Sequence, residues 1–221
     1  MMMDYLHLSR AIDNGRAAET VQPWAADVLR AITEGRRALR AAVHPLGFTC
    51  LPVIREGRYG VCMHAWLPGQ QVARPTTSAV HAHSWDLSSY VLIGRLRNEL
   101  PQVTGAQPGA VGAWQVLEVR SRGDTDKIVP TRRLVHCQAG ESALHVQDDV
   151  YKVLAGTFHS SIADSAEPTV TIVLGSAVPG GADLSLGSPG TRAHRVHRSH
   201  RAPAETAALA RTIIDLYWRL R

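Results

Sequence analysis

The sequence predicts a mainly β domain, a barrel or sandwich, set between helices at both ends. Three observations predict it. From Phe48 to Ser176, short runs rich in Val, Ile, Cys and aromatic residues alternate with Gly, Pro, Asp and Ser clusters at all-β spacing. Before Phe48, the apolar residues recur at helical period. After Pro203, they do so again.

The first element is helical, over about Leu8 to Val43. Trp24, Val28, Ile32 and Leu39 fall near one face, with Arg and Glu opposite. Pro23 suits a first helical turn, and His44-Pro45-Leu46-Gly47 is the expected stop. FTCLPVI and YGVCMHAWLPG then read as a hairpin across REGR. Further strands are expected at AVHAHSWD, SSYVLIGRLRNEL, AWQVLEVRSR, TRRLVHCQA, ALHVQD, DVYKVLAG, TFHSSIA and PTVTIVLGSA. Pro179–Ala202, rich in Gly, Ser, Pro, His and Arg, reads as a flexible basic loop. PAETAALARTIIDLYWRLR closes the chain as a helix, with Leu209, Ile213, Leu216 and Leu220 on one stripe. The expected organisation is therefore a helical segment (1–47), a β domain (48–178), a loop (179–202) and a packing helix (203–221).

Composition narrows the function. The 221 residues are 45% hydrophobic and 19% charged, which suits a globular domain with a core stable without disulfides. Cys50, Cys62 and Cys137 form no CxxC pair, so neither a disulfide framework nor a zinc knuckle is expected, and Cys50 and Cys62 read as small core residues. Apolar runs break well short of a membrane span, and the N-terminus lacks a secretion signal, so the cytoplasm is expected. The net charge of +5 comes almost wholly from scattered arginines, which does not point to a nucleic-acid partner. Tyr217 and Trp218 could extend the last helix into a homodimer contact.

The chemistry is concentrated in VHAHSWDLSSYVLIGRL. In a strand, residues i and i+2 share a face, so His81 and His83 project together and can share a metal ion. A third ligand has to come from a distant strand facing them. His159, after the Gly156-Thr157 turn and before a strong apolar strand, is the candidate. Asp86 is a further candidate, as a ligand in a two-His, one-carboxylate set or as a group hydrogen-bonded behind the ligands. His64 alternates with Cys62 and Trp66 on one face and can line a pocket. Tyr90 and Tyr151 are candidate hydrogen-bond or proton donors, although the spacing from His83 turns Tyr90 away on a regular strand.

This pattern resembles the cupin superfamily: HxH at His81 and His83, a hydrophobic strand closing on Gly94, then Gly156 and His159 before a final apolar strand. The resemblance covers roughly Phe48 to Ser176 and implies a double-stranded β-helix barrel holding one metal. Ser88 stands where many cupins carry a glutamate. In that respect the chain is similar to cysteine dioxygenase-type thiol dioxygenases, where three histidines alone hold Fe(II). Trp66 and the run GTFHSSIADSAEPTVTIVLGSAVPG also look like that branch. The branch's substrate-binding arginine would fall near Thr49–Leu51, where there is none, leaving Arg55 or Arg58 as substitutes. Ser176 stands near its tyrosine, and the longer spacing from His83 to His159 implies inserted chain near 105–112 or 122–131.

The resemblance implies an Fe(II) oxygenase acting on a small-molecule substrate and O2, with a thiol or amino acid the first class to test. His81, His83 and His159 would bind metal, with Asp86, Tyr151 and His64 as catalytic candidates. Arg55, Trp66 and Tyr90 would face the substrate. The alternatives are a Zn, Ni or Mn cupin doing isomerase, lyase or hydrolase chemistry, and a non-catalytic binding cupin.

Overall fold

The structure, a computed structural model, describes residues 2–220 apart from 71, 72 and 74. Two helices lead, α1 (Met2–Asp13) and α2 (Ala17–Thr33), and α3 (Pro203–Arg219) closes the chain. Between them lie β1 (Ala42–Val43), β2 (Thr49–Glu56), β3 (Tyr59–Trp66), β4 (His81–Ala82), β5 (Trp85–Ile93), β6 (Arg95–Gly105), β7 (Trp114–Arg122), β8 (Thr125–Val146), β9 (Val150–Val153), β10 (Ser160–Ala163), β11 (Thr169–Ala177), β12 (Asp183–Gly187) and β13 (His194–His197). The molecule is mainly β, as the alternating runs predict. Its strands pair in two antiparallel sheets, β1-β2-β3-β11-β5-β9 and β10-β6-β8-β7-β12-β4, with β13 on β8.

Several elements differ from the sequence reading. The leading helical segment is two helices, broken where Gly15 takes φ 69°, and it ends at Thr33 because Gly35 takes φ 72°. Leu39 packs on the core from irregular chain, and Pro23 lies inside α2 rather than in its first turn. The expected strands TRRLVHCQA and ALHVQD are parts of one 22-residue strand, β8. Its first half pairs with β7 and its second half with β6. The expected loop 179–202 carries two strands instead. Partner strands β7 and β4 recruit β12, and β8 recruits β13. Pairing partners distant in sequence override the local Gly and Ser signal there.

The main core lies between the helices and one face of the six-stranded sheet. Val61, Met63 and Ala65 of β3, Tyr90 and Leu92 of β5, and Val170, Ile172 and Leu174 of β11 meet Leu8, Val21, Leu29, Leu209 and Ile213. The opposite face of the same strands presents Cys62, His64 and Ser89. Gly94 turns the chain from β5 to β6 at φ 76°, and a Cβ there would stand 2.2 Å from the Pro168 carbonyl oxygen. No helix among the described residues is long and apolar enough to cross a membrane.

Candidate metal centre

The three predicted histidines converge. Ligand-capable atoms of His81, His83 and His159 all lie within 4.8 Å of one another. His81 and His83 share a face across the short strand β4, and their Nε2 atoms are 3.1 Å apart. The third arrives differently from the sequence expectation. His159 does not face the pair from across the domain but sits beside His81. The two exchange both backbone hydrogen bonds, His81 N to His159 O at 2.9 Å and the reverse at 2.8 Å. The imidazole centroids of this bridge are 4.3 Å apart. A third bond, from Gly156 N to the His83 carbonyl at 2.8 Å, fixes the turn that delivers His159.

Tautomers are set by the backbone. His81 Nδ1 lies 2.8 Å from the Ala79 carbonyl and His159 Nδ1 lies 3.2 Å from that of Thr157. A carbonyl accepts only, so each Nδ1 carries the proton and each Nε2 presents a lone pair, which in His81 faces His83 Nε2 at 3.1 Å. Burial is the main cause that holds all three rings in the neutral, metal-binding form. It pushes His83 down to about 3, with help from His159, His44 and His64. It also lowers His81, with help from His83 and His159, and His159 itself.

The donor set fits a cation. The nearest pair of nitrogens, His81 Nε2 and His83 Nε2 at 3.1 Å, is close enough for both to reach one ion with bonds of about 2.1 Å. No carboxylate joins this group among the described residues.

Asp86 is not a ligand. It is exposed, and its Oδ1 accepts a hydrogen bond from Ala155 N at 2.9 Å. It pins the Leu154–Thr157 turn and so positions His159 through the backbone, as its place on the outward face of β5 requires. Tyr90 is not at the site either. It is fully buried on the helix-facing side, accepting from Gln22 Nε2 at 2.5 Å and donating to Asp148. Gln22 also donates to Asp148 at 2.6 Å and accepts from Tyr217 at 3.1 Å. Burial and the Asp148 carboxylate both raise the Tyr90 phenol. The parity of the strand, not the residue type, decides this placement.

Arg55 is already engaged: its Nη2 donates to Cys62 Sγ at 2.9 Å, and it does not line the cleft described below. His64 belongs to the same group as Cys62, and its field also reaches His81 and His83. Tyr151 is stacked on His145 with centroids 4.5 Å apart and hydrogen-bonded with Ser89 and Asn98. Asn98 accepts from Ser161, two residues beyond His159, at 2.8 Å. Burial pushes the Tyr151 phenol up to about 12. Trp66 lies 4.8 Å from Phe48, centroid to centroid, and both line a cleft of about 280 Å³ with Thr49, Gln70 and Asp164.

Sequence reasoning missed the surroundings of Cys50 and Cys62. Both are small core residues beside Phe48, as expected, but their sulfurs also meet His64 and Arg55. The signal was available, since Cys62 and His64 stand at the same i, i+2 spacing as His81 and His83. His194, His197 and His200 do not converge. His194 meets Thr76, whereas His197 and His200 meet the neighbouring Thr125 and Asp124, and the three form no ligand group among the described residues.

No protein-family model and no curated protein matches the chain. Among solved structures it is similar to TT1209 from Thermus thermophilus, with 20% identity over 66% of this chain and 95% of that one, at a TM-score of 0.33.

Proposed function

We propose that the chain is a cupin-type mononuclear iron oxygenase that oxidises a small molecule, with a thiol or amino-acid derivative as the substrate class. The observation that carries this reading is the convergence of three neutral imidazoles, their ligand atoms all within 4.8 Å of one another and with no carboxylate in the group among the described residues. Three protein ligands leave half of an octahedral sphere open for substrate and O2. Iron(II) held by His81, His83 and His159 would supply the one-electron chemistry toward O2 that no side chain provides.

The chain's own residues do the rest. Ala79 and Thr157 carbonyls hold two rings in register. Asp86 holds the turn before His159. Tyr151, kept protonated by its burial, can donate a hydrogen bond but not serve as a base at neutral pH.

The test is anaerobic purification, metal analysis, Fe(II) loading and O2 uptake with a panel of thiols and amino acids. The expected result is one iron per chain and substrate-dependent O2 consumption. For a thiol, one O2 is taken up per sulfinic acid formed, with both oxygens retained in the product. Retention of zinc, nickel or manganese with turnover that needs no O2 would replace the oxygenase with the isomerase, lyase or hydrolase alternative. Ligand binding without metal would replace it with a binding module.

A further inference from the structure

A second cluster of soft ligands lies on the inner face of β2 and β3. Ligand atoms of Cys50, Cys62 and His64 all fall within 4.8 Å of one another. Cys50 and Cys62 are buried, and their sulfurs are 3.2 Å apart. None of these residues is used by the three-histidine centre. From this geometry we propose a second metal site, in which Cys50, Cys62 and His64 bind one monovalent soft cation, Cu(I), three-coordinate through two sulfurs and one nitrogen.

Three observations select this occupant. The first is the register. Cys50 lies opposite His64 and Cys62 opposite Pro52, so the cysteines are diagonal neighbours. Diagonal positions stand about 7–8 Å apart at Cα, beyond the usual disulfide range of about 4.4–6.8 Å. An ion with bonds of about 2.3 Å spans that gap, the sulfurs parting from 3.2 Å by about 0.8 Å to reach a trigonal arrangement.

The second is ligand type. Two thiolates and one imidazole without carboxylate or water-facing oxygen favour a thiophilic ion over a hard one.

The third is charge. Arg55 places its guanidinium 2.9 Å from Cys62 Sγ. Two thiolates, one Arg55 cation and one monovalent metal leave the buried group neutral. A divalent ion would leave a net positive charge there, which burial penalises. A disulfide would instead strip Arg55 of the anion it faces.

The test is an anaerobic Cu(I) titration of the reduced full-length chain against a chromophoric Cu(I) chelator. The unmodified protein is expected to withdraw one copper with a thiolate-to-metal charge-transfer band. Cys50→Ser and Cys62→Ser should each weaken retention at least a hundredfold, while Cys137→Ser leaves it unchanged. His81→Ala should also leave it unchanged, which separates this site from the three-histidine centre. X-ray absorption of the copper-loaded unmodified chain needs no variant, and two sulfurs with one nitrogen are expected. An all-nitrogen shell, equal loss in His81→Ala, or a Cys50–Cys62 disulfide that re-forms in place of copper retention would overturn the proposal. Arg55→Gln is expected to narrow the preference for Cu(I) over Zn(II) by tenfold or more, and no change would overturn the charge argument.

Discussion

The two faces of the six-stranded sheet are built from the same strands and have opposite chemistry. Toward the helices, β3 offers Val61, Met63 and Ala65, and β11 offers Val170, Ile172 and Leu174, all at or below 1% exposure. Away from the helices, β3 offers Cys62, His64 and Trp66, and β5 offers Ser89. One face is an apolar seat that fixes the fold. The other mixes apolar residues such as Val91 and Val173 with polar groups that are expensive to bury unless a ligand or a network satisfies them. The difference teaches that residue type alone misplaces candidates here: Tyr90 has the chemistry of a site residue and the parity of a core residue.

The largest expected effect falls on the three-histidine centre, carried by β4 of the second sheet. His81→Ala or His83→Ala should abolish iron retention and O2 uptake, measured by metal analysis and an oxygen electrode, while the denaturation midpoint of the metal-free protein barely moves. A large loss of apo stability would mean that these histidines belong to the structural side.

On the apolar side, Ile172→Ala should cost about 2–5 kcal/mol by urea denaturation, because the site is fully buried. Iron stoichiometry of the surviving folded protein should be unchanged. Gly94→Ala should fall in the same range. It combines a left-handed φ with a Cβ 2.2 Å from a carbonyl oxygen.

Tyr90→Phe sharpens the boundary between the faces. It removes a hydroxyl that bonds Gln22 and Asp148, and should cost about 1–3 kcal/mol without changing turnover. Its pH signature follows from the raised phenol. A folded-state value above the unfolded one of about 10 gives stability that is intact below pH ~10 and is lost as pH rises beyond it. Alkaline loss of stability should therefore be shallower in Tyr90→Phe. The remainder belongs in part to Tyr151, raised to about 12. The smallest effect is expected at Lys152→Ala, under about 1 kcal/mol. Its 2.7 Å pair with Asp13 is half exposed and screened.

How much of this was legible in the sequence depended on whether the signal was local. Period-2 alternation placed most strands, and the HxH spacing placed His81 and His83 on one face. The convergence of His159 was expected, but its side-by-side bridge to His81 was not, because strand neighbours distant in sequence leave no local trace. The same cause hid β12 and β13 in a segment that composition marks as loop. Asp86 takes the expected place of a group bonded to a backbone amide near the ligands, accepting from Ala155 N, whereas Arg55 pairs with Cys62 Sγ, a partner that only the folded chain supplies.

The bridge between His81 and His159 has one more consequence. β4 and β10 are the two outermost strands of the second sheet, and the histidine pair ties one to the chain entering the other. An ion gripped by these rings would act as a clasp across that hem. Stripping it with a chelator should loosen amide protection first at residues 81–83 and 156–160, leaving the helix-covered interior sealed.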